Sequence, residues 1–103
     1  MTSVIFAPDA EAEFLEAIKY YEECRRGLGR HFRFAIDSSI KMITDSPFMY
    51  RVIKFPFRRF LLQKFPYAII YTIEPDHIQI IAVAHTKRKP GYWMDRANRG
   101  GNK

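Results

Sequence analysis

A chain of 103 residues, 48% of them hydrophobic, has room for one domain with one modest core and is too apolar for a disordered chain. Its net charge of +6 is uneven: residues 1–50 carry 6 Lys/Arg against 8 Asp/Glu and residues 51–103 carry 11 against 3, leaving the halves at −2 and +8. Cationic charge gathered in one half suits an anionic target, a nucleic acid or an acidic protein, better than it suits a merely solubilising surface.

The N-terminus, Met1 to Phe6, has no basic segment before an apolar run, and Asp9 and Glu11 follow at once, so no secretory leader is expected. No stretch approaches the roughly 18 apolar residues of a membrane span. The lone cysteine, Cys24, excludes an internal disulfide and fits a reducing compartment. The expectation is a soluble cytoplasmic protein with no membrane partner.

In chain order, Val4-Ile5-Phe6 reads as a short strand. Pro8-Asp9 starts a helix with Asp9 as N-cap and acids in the first turn. Phe14, Ile18 and Tyr21, widened by Leu15 and Ala17, form its apolar stripe, and Gly27 and Gly29 close it. A second helix is expected over 30–44, with Phe32, Ile36, Ile40 and Ile43 on one face and Asp45-Ser46-Pro47 ending it. The pattern then changes. Runs over 51–55, 57–65, 67–74 and 78–84 are rich in Ile, Tyr, Phe and Val and are separated by Pro56, Pro66 and Pro75-Asp76. Strands joined this tightly must be antiparallel.

The predicted fold class is therefore α+β: an N-terminal helical hairpin packed on one face of a small antiparallel β-sheet. It forms a single domain over residues 1–95, and 96–103 is a disordered basic tail. Period-2 alternation puts Arg58 and Lys64 on one face with Phe60 and Leu62, and Arg59 on the other with Leu61 and Phe65. In the last strand it puts Ile78, Ile80, Ala82 and Ala84 opposite Gln79, Ile81, Val83 and His85. The small alanines would let a helix approach closely.

The stretch from Phe57 to Trp93 is the most informative. It contains Arg58-Arg59-Phe60, Lys64-Phe65-Pro66-Tyr67-Ala68-Ile69-Ile70-Tyr71, Ile80-Ile81-Ala82-Val83-Ala84-His85 and Arg88-Lys89-Pro90-Gly91-Tyr92-Trp93. In that order, after two helices and within about 100 residues, these pieces resemble the RelE/ParE toxin superfamily over nearly the whole chain. The resemblance implies the toxin of a type II toxin–antitoxin system, held inactive by a cognate antitoxin. RelE-like toxins enter the ribosome and cut messenger RNA, whereas ParE-like toxins poison DNA gyrase, and a shared fold does not choose between them. Against the RelE-like pattern, Arg59 matches a basic strand position, and Arg88 and Tyr92 match the C-terminal positions. Leu61 stands where a second basic residue belongs and Ala68 where the strand arginine belongs.

Metal-independent RNA cleavage needs a base, an acid and a cation at the phosphate. His85 can be base or acid, Arg88 can hold a phosphate bidentately, and Tyr92 can stack on a base or orient a phosphate. Arg58, Arg59, Lys64, Lys87, Lys89 and Trp93 are the candidate nucleic-acid or target-binding residues. Each has a plainer reading: His85 can end its strand with a bond to backbone, the Lys87-Arg88-Lys89 run can be a solvated surface, and Tyr92 and Trp93 can be a hydrophobic plug. Arg58 and Arg59, being adjacent, point to opposite faces, so at most one of them is expected to meet the ligand directly. Three scattered histidines with no Cys/His spacing suggest neither a metal site nor a cofactor. There is no Gly-rich phosphate loop and no nucleophile elbow. Because His85, Arg88 and Tyr92 cluster in sequence, the first reading is growth arrest by ribosome-dependent cleavage of messenger RNA, against which Leu61 and Ala68 stand; a non-catalytic gyrase poison and a non-toxic basic binding module of the same fold are the alternatives.

Overall fold

A proline is at home in the first turn of a helix, where its φ is already set and an N–H would go unused. In the computed structural model, which describes residues 3–96, strand β1 (Ser3–Phe6) leads through Ala7 into helix α1 (Pro8–Cys24), with Pro8 at its start. The N-cap is Ala7 and not Asp9, because the helix begins two residues earlier than an Asp9 cap requires. Asp9 lies in the first turn with Glu11, where carboxylates suit the positive end of the helix.

Helix α2 (Leu28–Asp45) follows after a tight junction. Gly27 supplies a left-handed residue (φ 87°) that reverses the chain. Gly29 is a contact glycine and does not terminate the first helix. A Cβ there would lie 2.6 Å from the carbonyl oxygen of Ile18, so only glycine lets the two helices meet this closely.

Leu28 and its neighbours begin α2 with no side-chain cap of their own. Glu22 does the work from α1: its carboxylate accepts the Gly27 N–H at 3.1 and 3.0 Å and the Gly29 N–H at 3.1 Å. These bonds, chiefly that from Gly27, hold the Glu22 carboxyl below its ordinary value of 4.5. A depressed carboxylate contributes stability above its unfolded value, and the contribution is lost as pH falls through the folded value. Glu22→Gln is therefore expected to melt below the parent at pH 7, with the gap closing as the pH is lowered past 4.5. Thermal melts across that range check this, and a gap independent of pH would refute it.

The chain then forms β2 (Arg51–Lys54), β3 (Phe57–Leu61), β4 (Tyr67–Ile73) and β5 (His77–His85). The sheet order is β1-β5-β4-β3-β2. All neighbours are antiparallel except β1, which runs parallel to β5 on the edge. Phe32, Ile36 and Ile43 of α2 meet Ile69, Tyr71, Ile78, Ile80 and Val83 of the sheet, with Phe14, Ile18 and Tyr21 of α1 closing the side. The α+β hairpin-on-sheet architecture is as the periodicity predicts.

Two details differ. First, β3 stops at Leu61 instead of running to Phe65, because residues 62–66 turn back: the Leu62 N–H donates to Tyr67 O at 3.0 Å and the Tyr67 N–H to Phe65 O at 2.8 Å. Phe65 therefore swings to the helix side, 5.1 Å from Phe32 and 5.0 Å from Tyr21 between ring centres. Second, Ile70 pairs with Ala82 but Tyr71 with Ile80, so Ile81 is an extra residue, a bulge. The bulge flips the parity of the strand. Ile78, Ile80 and Val83 face the helices, while Ile81, Ala82 and Ala84 face the other side. Among the described residues no helix is long and apolar enough to cross a membrane.

Candidate functional site

The far face of the sheet would be bare if the chain ended at β5. Instead residues 86–96 return across it as a short arm. Trp93 is its plug, 4% exposed and buried with Phe57, Ala68, Ile70, Ala82 and Ala84, its ring 4.7 Å from that of Phe57. The small alanines make room for an indole, not for a helix as the unbroken alternation suggests. Gly91, at φ 79°, gives the arm its sharp turn.

Between the arm and the β2–β4 face lies a cleft of about 410 Å³. Its floor is apolar, with Leu61, Ala68, Ile70, Ala84 and Trp93. Its walls carry Lys54, Arg59, His85, Arg88 and Lys89, and no Asp or Glu lines it. Concave geometry with one sign of charge over a low-dielectric floor focuses potential and attracts an anionic partner. The positions Leu61 and Ala68, which depart from the nuclease-like pattern, form part of that floor.

Of the residues singled out from sequence, Arg59, His85, Arg88, Lys89, Tyr92 and Trp93 all line this cleft. Arg58 does not. It donates to Phe48 O at 3.0 Å and Tyr50 O at 2.8 Å, with its guanidinium 5.3 Å from the Phe48 ring centre, fastening the α2–β2 connection. Lys64 lies in the turn after β3 and borders a separate groove beside Phe34 and Met42 of α2, because the strand ends before reaching it. Lys87 is exposed, and its backbone N–H donates to His85 Nδ1 at 3.1 Å. His85 thus does close its strand against backbone, as its plainer reading has it, while its ring sits edge-on to Tyr67 at 5.1 Å.

Tyr92 is tied more firmly. Its hydroxyl donates to Glu13 Oε2 at 2.5 Å, and its ring lies under the Arg88 guanidinium at 3.8 Å and the Arg96 guanidinium at 5.0 Å. Burial first, and the Glu13 carboxylate second, push the phenol well above its ordinary value of 10.0. A hydroxyl so placed is a poor proton donor and stays protonated at neutral pH. Arg96 donates to both Glu13 oxygens, at 3.0 and 2.9 Å, and is 14% exposed in its side chain. It belongs to the folded arm, although sequence reading assigns it to the tail; residues 97–103 of that tail lie outside the described residues.

Glu13, Arg96 and Lys54 are the residues that sequence reading missed. A signal for Glu13 existed. Ala10, Glu13 and Ala17 are spaced three and four apart, which puts the acid on the inward stripe between two buried alanines. An acid on an apolar stripe calls for a buried partner. Among the described residues no group of His, Cys, Asp and Glu could hold a metal ion.

The family model of the ParE toxin of the type II toxin–antitoxin system, parDE, matches residues 4–90. No match is found among curated proteins. Among solved structures, the chain is similar to one from the chromosomal ParDE toxin–antitoxin system of P. aeruginosa, at 13% identity and a TM-score of 0.63, over 84% of this chain and 98% of that one. At that identity the likeness speaks for the fold alone.

Proposed function

The chain belongs to the family of ParE toxins of type II toxin–antitoxin systems, and from that premise we propose that it arrests growth by docking on DNA gyrase through its cationic cleft, without cutting RNA. The observation that carries this choice is the commitment of Tyr92. Its hydroxyl is spent on Glu13 and its proton is held tightly. His85 Nδ1 is likewise spent on the Lys87 N–H. Leu61 and Ala68 present apolar surface where a nuclease of this fold would present cations. What remains is a basic rim around an apolar floor, which is the anatomy of a docking surface: cations steer and orient, and the floor excludes water from the contact.

The partner that keeps such a toxin silent is an antitoxin. The absence of any carboxylate in the cleft lining favours one with an acidic segment lying over Lys54, Arg59, Arg88 and Lys89. Occupying that surface blocks the target by mass action and stabilises the folded toxin.

Induced alone, the protein is expected to arrest growth, and the purified protein is expected to inhibit supercoiling by gyrase while ribosome-bound messenger RNA stays intact. Tyr92→Phe sharpens the test. Deleting one hydrogen bond to a charged, part-buried acceptor is expected to cost about 1–2 kcal/mol of stability. It should leave growth arrest in place. Cut messenger RNA in induced cells, together with loss of arrest in Tyr92→Phe at equal soluble protein, would establish the ribonuclease reading instead.

A further inference from the structure

We infer that Glu13, on the far side of the sheet edge from the cleft, is a positioning residue that fixes the arm and aims Arg88 as the exchangeable cation of the binding surface; this rests on the cleft being the docking surface.

The reason lies in the edge of the sheet. Strand β1 pairs with β5 only from His77 to Ile80, and the Ala7 N–H closes the ladder on Ile80 O at 2.9 Å. Beyond that point, among the described residues, no strand lies beside the Val83 N–H. Glu13 Oε1 takes its place and accepts it at 3.0 Å. The same carboxylate gathers the arm: Arg96 at 3.0 and 2.9 Å, Tyr92 at 2.5 Å and Arg88 at 3.4 Å. One side chain of α1 therefore links the open end of β5 to three residues of the arm.

A carboxylate offers about four acceptor positions. Among the described residues, the bonds from Val83, Tyr92 and the two Arg96 nitrogens are the short ones, and the Arg88 contact is the longest. The Arg88 side chain is also 55% exposed, against 14% for Arg96. The two arginines thus divide the work. Arg96 neutralises and anchors Glu13. Arg88 is stacked on Tyr92 at 3.8 Å and only loosely held, so it can give up Glu13 for an anionic group entering the cleft that it also lines. Its orientation is set before the target arrives, which lowers the ordering cost of binding.

A rival account makes Glu13 a mere counter-charge beside a basic surface. The two differ in sign. Removing a negative charge near a cationic cleft should strengthen polyanion binding by electrostatics alone, whereas losing the aim of Arg88 should weaken it. The full-length protein is compared with Glu13→Asp, Glu13→Gln, Arg88→Ala and the pair Glu13→Gln/Arg88→Ala. Glu13→Asp keeps the charge and withdraws it by one methylene, so any loss it causes is geometric. Three readouts apply: the emission of Trp93, the only tryptophan in the chain; the salt dependence of binding to heparin, used as a polyanion probe; and inhibition of gyrase.

Both Glu13 variants are expected to shift Trp93 emission to the red. Both should lower the salt slope of heparin binding by about one, as Arg88→Ala does. Adding Glu13→Gln to Arg88→Ala is expected to change that slope no further, since neighbours acting through one contact are not additive. Tighter heparin binding by Glu13→Gln with unchanged Trp93 emission would overturn the inference. So would slopes that simply add in the pair. If the parent fails to inhibit gyrase while the heparin and fluorescence results come out as expected, the gyrase target falls and the role of Glu13 stands.

Discussion

Arg59→Glu is expected to abolish growth arrest and leave the protein folded, and no less stable than its parent. Arg59 is half-buried on β3, where it lines the cleft, and its register partner on the edge strand is Arg51. Two like charges directly opposite each other on neighbouring strands are destabilising, and an opposite pair contributes roughly 0.2–1 kcal/mol. A sheet optimised for stability alone would not keep both arginines. The reversal turns a repulsive pair into an attractive one, so thermal melts should show an unchanged or slightly raised Tm. At the cleft the effect is the reverse. A carboxylate placed where an anionic surface must dock is a like-charge juxtaposition that costs several kcal/mol, about two orders of magnitude or more in affinity. Growth curves at matched soluble expression, with melts on the same preparations, measure both halves. Full arrest by Arg59→Glu would remove the cleft from the mechanism, and arrest lost through unfolding would remove the stability half.

The separation of these effects also explains which parts of the molecule were legible in the sequence. The stripe Phe32, Ile36 and Ile43 was legible because a helix repeats every 3.6 residues whatever its surroundings, and all three are fully buried. Arg59, Arg88 and Trp93 were legible as a group because charge and aromatic rings concentrate in one half of the chain. The parity of β5 was not legible. The bulge at Ile81 is a property of the β4–β5 pair, and no single strand announces it. Lys64 was misplaced for a related reason. The apolar run continues through Leu61-Leu62 to Phe65, but Phe65 is claimed by the aromatic cluster under the helices, and the strand ends to let it go. Glu13 was hidden by distance. Its principal partner, Arg96, lies 83 positions later, and local reading of an acid on a helix defaults to solvent. The parts of the site set by local chemistry could be read. The clamp that orients them could not, because it joins the two ends of the domain.

The largest loss of stability is expected from Phe32→Ala. Phe32 is wholly buried, and its ring lies 6.3 Å or less from those of Phe14, Tyr21, Phe65 and Tyr67. Truncation removes the transfer energy of a phenyl ring and leaves a void walled by four other rings. These are held by α1, by the turn after β3 and by the start of β4, and cannot all collapse inward. Removing such a side chain costs about 3–5 kcal/mol, set against a total of about 5–15 kcal/mol for a domain of this kind. The midpoint should fall by at least ~12 °C, as each kcal/mol shifts a domain of this length by about 4–8 °C. Phe32→Ala should also lose growth arrest at 37 °C, but for a reason unlike that of Arg59→Glu. It leaves the cleft chemistry untouched and depletes the folded state, so arrest should return in cells grown at 25 °C, whereas Arg59→Glu should stay inactive at both temperatures. A Phe32→Ala protein that melts with its parent would mean that the aromatic cluster does not carry the fold. One that melts early yet stays inactive at 25 °C would mean that the cluster also shapes the docking surface.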